Sequence, residues 1–350
     1  MRRRSLLFFV LFALLLGLTS FQELSAAPYY EGKTITIIVG YGPGGGYDRL
    51  ARILAKHLPK YIPGKPTILV QNMPGADSMI ATNHLYNVAK PDGLTLGTFN
   101  RGLFFGQLLK AEGVKFDMMK FAWIGSASVE AAVLAIRTDL PYKTFDEALK
   151  AKSLLILGST GPADSNGQFP IFLKEYLGLN AKMINYPSSA DVMLAIERKE
   201  VDGRGASYSS IKPFIQRGLV RAIIRGRTAE PGIENLPVDE NLTKDPKAKT
   251  IMSMRSTPDQ IGRPYVVPPG TPADVMKILR EAFARVQNDA ELKQDAAKAM
   301  MEVEYVPADK TLDVLKGLFS QPPDMNKRVR EIHQVLEEGF RLSDTKTCFS

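Results

Sequence analysis

The chain reads as an α/β protein of two domains, and three observations predict it. Short β-branched runs alternate with amphipathic helical stretches. A strand, a loop of small polar residues and a helix recur in that order once in each half. About 320 residues follow an N-terminal leader, more than one core comfortably fills. The expected division is residues 28–130 with 256–350 in the first domain and 131–255 in the second.

The leader has the build of an export signal. Arg2, Arg3 and Arg4 make a positive start, Leu6 to Leu18 carries no charge, and Ser25-Ala26-Ala27 offers small residues for cleavage after Ala27. The apolar run is about 13 residues, short of the roughly 20 that span a bilayer. No cysteine adjoins it to take a lipid. The expectation is an exported, cleaved and soluble protein.

The first domain opens with a strand over Thr34–Val39, a glycine-rich turn from Gly40 to Gly46, and a helix from about Asp48 with Leu50, Ile53, Leu54 and Leu58 on one face. A strand over Thr67–Gln71, a helix carrying Ile80, His84, Leu85 and Val88, and a strand over Leu94–Phe99 follow. In the second domain, strands are expected over Ala132–Ile136, Leu154–Leu157 and Val220–Ile224, with helices over Thr144–Lys152 and through Phe169–Tyr176. Residues 229–262, rich in Pro, Asp, Glu and Lys, read as surface connection. A strand over Tyr265–Val267 and an amphipathic helix over Ala273–Val286 come next, and two further helices close the chain.

Five glycines in the seven positions Gly40–Gly46, between a strand and a helix, are the sharpest feature. Glycine lets backbone approach a ligand closely, and the helix that follows aims free N–H groups and its positive dipole end at the loop. That makes an anion site from Tyr41, Gly42, Pro43, Gly44, Gly45, Gly46 and Asp48. The loop is not a nucleotide site. Gly46-Tyr47-Asp48 replaces the P-loop Gly-Lys-Ser/Thr, and Tyr47 stands where a dinucleotide fingerprint needs its last glycine. The second small-residue loop contributes Ser159, Thr160, Gly161, Asp164, Ser165 and Asn166. A guanidinium grips a carboxylate with two parallel bonds, so Arg101, beside Asn100, and Arg204, near Ser207 and Tyr208, are candidate specificity groups; Tyr186 joins them. No nucleophile elbow or metal-binding pair of histidines is present, and His57 and His84 read as packing or surface residues. The formal charge of +8, from 45 basic and 37 acidic residues, is spread without a basic stripe, which disfavours nucleic acid. Cys348 is the only cysteine, so no intramolecular disulfide forms. No cofactor is expected.

In these residues the chain resembles the tripartite tricarboxylate transporter receptors, the Bug family of periplasmic solute-binding proteins. The resemblance runs in order through Lys33–Val39 with the glycine loop and Asp48-Arg49-Leu50-Ala51-Arg52, Asn72-Met73-Pro74-Gly75-Ala76, Ala89–Leu96, Gly158-Ser159-Thr160-Gly161, Asn185-Tyr186-Pro187, Glu200-Val201-Asp202-Gly203 and Pro268-Pro269-Gly270-Thr271-Pro272. It implies a Venus-flytrap fold and a mono-, di- or tricarboxylate, aromatic acids included, held in the cleft by the two loops. It also implies delivery to membrane transporter subunits, without catalysis; the two-loop clamp and the absence of any large apolar stretch in the sequence predict a monomer. A receptor that feeds a sensor, and a periplasmic enzyme, are the other readings. The chain departs from the family pattern at Asp77-Ser78, where a second glycine pair is usual, and at Gln168-Phe169.

Overall fold

The computed structural model describes residues 28–161, 163–325 and 327–331. The leader, His333 and Cys348 lie outside the described residues. The β-branched opening run becomes β1 (Thr34–Val39), followed by α1 (Gly46–His57), β2 (Thr67–Asn72), α2 (Met79–Asn87), β3 (Thr95–Thr98), α3 (Gly102–Leu108) and β4 (Ala122–Ser126). The chain then crosses over to β5 (Ala132–Arg137), α4 (Phe145–Ala151), β6 (Leu155–Ser159), α5 (Ser165–Leu177), β7 (Ala181–Asn185), α6 (Ser189–Glu197), β8 (Gly203–Ser207), α7 (Tyr208–Gln216) and β9 (Val220–Arg225). It returns through α8 (Pro246–Ser256) to β10 (Pro264–Val267), α9 (Ala273–Val286), α10 (Ala290–Lys298), β11 (Val306–Pro307) and α11 (Ala308–Phe319).

These strands build two sheets, one of six strands in the order β11-β4-β10-β3-β1-β2 and one of five in the order β7-β6-β8-β5-β9. In the first, β1 runs parallel to β2 and β3, while β10 is antiparallel to β3 and β4. In the second, β6 runs parallel to β7 and β8, while β5 is antiparallel to β8 and β9. The architecture is a two-domain α/β Venus flytrap. Helices cover both faces of each sheet, so strand residues of both parities are apolar. Ile35, Ile37 and Val39 pack with Leu50, Leu54 and Phe283 on one face of β1, and Ile38 packs with Phe99 and Trp123 on the other. Leu134 and Ile136 meet Phe169 and Leu173, whereas Val133 and Ala135 meet Val192 and Ile211.

One expectation is corrected. Residues 229–262 are not merely surface connection, because they contain α8, whose Ile251, Met252 and Met254 are buried. The lysines that made the stretch read as surface, Lys247 and Lys249, lie on its exposed side. The sequence reading also left β4, β7, β8 and helices α3, α6 and α7 unassigned. β8 reads Gly-Arg-Gly-Ala-Ser, with no β-branched residue. It is a strand because β6 and β5 pair with it from either side. Its glycines are needed there: a Cβ on Gly203 would strike the Ala135 carbonyl, and one on Gly205 would strike the Asn166 carbonyl at the start of α5.

Where the chain passes between the sheets, charge is buried in pairs. Arg101 Nε donates to Asp259 Oδ1 at 2.8 Å, and Arg255 Nη1 lies 3.3 Å from Asp259 Oδ2. Arg255 also faces Asp239 at 3.6 Å, and Arg263 pairs with Glu130. Breaking a buried pair leaves a charge uncompensated, at a cost of about 3–5 kcal/mol. Asp259→Asn strips the carboxylate from two guanidinium groups at once. It is expected to lower unfolding stability by that order, read as an earlier midpoint in urea denaturation followed by circular dichroism. An unchanged midpoint would remove the seam's claim to hold the domains.

Candidate functional site

Between the domains lies a cavity of about 220 Å³. Its first wall is the glycine loop. Gly45 opens α1 with extended backbone and no side-chain cap, so the first-turn amides have no side-chain acceptor. Tyr41, Gly42, Pro43, Gly44, Gly45 and Gly46 all line the space. The left-handed backbone falls at Gly44, with φ +84°, and not at Gly45. A Cβ on Gly46 would collide with Ser210 Oγ and the Arg263 guanidinium, so glycine there lets the two domains approach. Asp48 does not line the cavity; it braces the loop. Its Oδ2 accepts from Gly44 N–H at 2.8 Å and Arg52 Nε at 3.0 Å, and its Oδ1 accepts from Asn72 at 2.9 Å. Burial works against its charge, but the bonds from Arg52, Gly44 and Asn72 prevail and hold its carboxyl below the usual range.

The opposite wall comes from the second domain. Arg204 is buried, 4 % exposed, and lines the cavity. It donates to Gly205 O at 3.0 Å, Ser189 O at 3.1 Å and Ser189 Oγ at 3.3 Å, and it has no carboxylate partner among the described residues. Burial pulls its pKa below the ordinary arginine value, opposed by the more distant charges of Asp164 and Tyr41. Arg49, from the first turns of α1, reaches the cavity from the other domain. It donates to Ala299 O at 3.0 Å, its Nε is buried without a partner, and it too has no ion pair among the described residues. Two cationic groups therefore face a small space from opposite domains without a protein anion to match them. Met193, Ile211, Pro213 and Phe214 supply an apolar flank.

The other expected residues fall in three places. Asn166 and Ser207 line the cavity with Arg204. Asn100, Ser159, Thr160, Gly161, Asp164 and Ser165 sit beside it, where the second loop meets the first domain. There Tyr41 Oη donates to Asp164 Oδ1 at 2.9 Å, Asn100 donates to Ala163 O at 3.1 Å, and Ser165 N–H donates to Asn100 Oδ1 at 3.3 Å. Arg101 does not line the cavity: it is fully buried in the seam, where its guanidinium is spent on Asp259 and Ser207 Oγ. Tyr186 and Tyr208 also lie outside the lining. His57 is buried and meets Asp295 at 2.9 Å. His57, Asp289 and Glu291 could together offer metal ligands, but the Lys60 ammonium bonds all three and occupies the cation's place.

Sequence reading missed Tyr47, Arg49, Ser188, Ser189, Met193, Ser210 and Phe214. One signal was present. Ser188 followed three residues later by Asp191, ahead of an apolar run, marks a helix start, and Ser188 Oγ does accept from Asp191 N–H at 3.2 Å to open α6. Arg49 carried no such mark, since its role depends on which side of α1 meets the second domain.

A cleft between two α/β domains, with an uncapped helix start on one side and on each an arginine without an ion pair among the described residues, has the build of a solute-binding receptor. The model of the tripartite tricarboxylate transporter family receptor matches residues 50–317, and the chain belongs to that family. Among curated proteins it is similar to a UPF0065 protein of Bordetella pertussis, 27% identical over 73% of this chain and 77% of that one. A UPF0065 protein of Cupriavidus necator is 24% identical over 83% and 86%. Among solved structures it is similar in fold to the periplasmic binding protein BugD, with TM-score 0.72 and 21% identity over 87% of this chain and 98% of that one. A Rhodopseudomonas palustris protein solved with adipate gives TM-score 0.69 and 16% identity over 87% and 98%. MatC of the same organism, solved with malate, gives TM-score 0.67 and 16% identity over 86% and 99%.

Gly45→Val tests the glycine wall. Nothing lies within 4 Å of a Cβ at Gly45, and the residue's φ of −74° suits any L-amino acid. The fold should therefore hold by circular dichroism, while the branched side chain enters the cavity and calorimetry shows binding lost. Undiminished affinity would show that the cavity's glycine wall does not touch the solute.

Proposed function

We propose that this protein is a periplasmic receptor that captures a small organic carboxylate in the interdomain cleft and delivers it to the membrane subunits of a tripartite tricarboxylate-type transporter. The observation that carries the reading is Arg204, a buried guanidinium open to the cavity with only neutral oxygen acceptors. A buried cation without an anion is costly, and an incoming carboxylate supplies the missing charge. Arg49 on the facing wall, part-buried and without an ion pair among the described residues, adds a second cation, and the α1 amides add donors. The relatives solved with malate and adipate carry dicarboxylates in the same fold. The apolar flank of Met193, Ile211 and Phe214 suits a solute whose carboxylate is attached to a hydrocarbon body. Export through the leader places the receptor in the periplasm, and it works there as a monomer without chemical turnover.

Mass spectrometry of the solute that copurifies with native protein identifies the ligand, and calorimetry with that solute measures the contribution of each arginine. Losing a charge-assisted hydrogen bond costs roughly 1.5–3 kcal/mol, about ten- to a hundredfold in affinity. Arg204→Ala is expected to lose that much, with Arg49→Ala next. Arg101→Ala should register mainly as lost stability, since Arg101 is held by Asp259. Wild-type affinity in both Arg204→Ala and Arg49→Ala would defeat the anion reading.

A further inference from the structure

On the far side of Tyr41 from the cavity, the turn between β2 and α2 delivers a side chain across the domain boundary. Ala76, Asp77 and Ser78 all take left-handed backbone, with φ of 45°, 53° and 77°. Three consecutive non-glycine residues in that region are rare and strained. The result of the strain is the placement of Asp77. Its Oδ2 accepts from the Ala163 N–H of the second loop at 3.1 Å. It lies so close over Gly161 that a Cβ there would collide with the carboxylate. Its Oδ1 is buried and accepts no hydrogen bond from the described residues. Asn100 fastens the same turn by donating to Asp77 O at 3.2 Å.

The loop before α5 thus presents the Ala163 N–H to a carboxyl group at a helix start, and the carboxyl group in place belongs to the protein. We propose that Asp77 is the chain's own occupant of this seat: it latches the second loop to the first domain without solute, and confines the solute to the space between the glycine loop and Arg204. The second clause rests on the proposed function; the latch itself does not. A dicarboxylate's second group would meet Asp77 and Asp164 here in place of free amides, so the wild-type protein should prefer solutes anchored through one carboxylate.

The groups around Asp77 also set a direction with pH. Asp164, from the loop before α5, faces it as a like charge; Tyr41, after β1, donates to Asp164; Arg204 of β8 acts on Asp164. Asp77 has no salt bridge among the described residues. Burial, and then Asp164, raise its pKa from 3.8 to about 7. A group whose pKa is higher in the closed form takes up a proton on closing. Closure is therefore favoured as pH falls through 7 and is weakest above it, where the closed form must hold the charge.

Small-angle scattering on the full mature chain, stripped of solute by unfolding, dialysis and refolding, tests the latch at about pH 5.5 and about pH 8.5. Wild type should shift to a larger radius of gyration at the higher pH. Asp77→Asn, which keeps the acceptor and drops the charge, should stay compact at both. Asp77→Ala should be expanded at both, and Asp77→Gly, which suits the left-handed turn, should behave like it even if the alanine variant folds poorly. Glycine and asparagine variants equally compact at both pH values would overturn the proposal. For selectivity, the thermal shifts given by propionate and succinate are compared in wild type and Asp77→Gly. Succinate should gain relative to propionate in the variant, and an unchanged ratio would refute the selectivity claim. If no carboxylate, the copurified solute included, shifts either protein, the receptor reading fails, while the scattering result still decides the latch.

Discussion

A buried guanidinium has to be answered by negative charge, and this protein meets that constraint in two ways. Arg101, Arg255 and Arg263 are answered internally by Asp259, Asp239 and Glu130, and together they make the seam where the chain passes between its sheets. Arg49 and Arg204 have carbonyl and hydroxyl acceptors but no carboxylate among the described residues, and both face the cleft. Paired arginines therefore fix how the domains meet, and unpaired ones leave an electrostatic deficit at the place where they meet. The seam brings Arg49 and Arg204 to the same small space from separate domains. Neither domain alone could hold a solute between them.

The two loops divide the remaining work. The glycine loop supplies amides and a bare wall, and Asp48 holds it in shape by bonding Gly44, Arg52 and Asn72. The second loop supplies contacts that tie domain to domain through Tyr41, Asn100 and Asp77. Closing a cleft in this way removes water from around the cations, and lower effective dielectric strengthens their attraction for an anion. A solute that binds the closed form better shifts the population toward it. The contacts that stabilise closure without solute therefore set how much binding energy the solute must contribute.

Much of the fold was legible because it rests on local rules. β-branched runs marked β1, β2 and β5, and the amphipathic spacing of Val275, Leu279, Ala282 and Val286 marked α9 to its ends. The glycine loop was legible because five glycines between a strand and a helix have few other uses. β8 was illegible, since glycine, arginine and serine do not favour strands and only its neighbours β5 and β6 make it one. Helix α8 was misread because its exposed lysines and Pro246 dominate the composition, while its buried face is visible only against the core it joins.

The sequence by itself determined the class of fold, the two loop-and-helix units and the presence of arginines able to meet an anion. It could not decide which arginines remain free to do so. Arg101 and Arg204 look alike in sequence, each beside glycine and small polar residues, yet Arg101 is consumed by Asp259, 158 positions away, and Arg204 is not. Arg49 gave no sign until α1 was laid against the second domain, and Asp77 none until its turn met the second loop. Pairing of charges across long stretches of chain is a property of tertiary contact, and that pairing separates the groups that build this protein from those that bind for it.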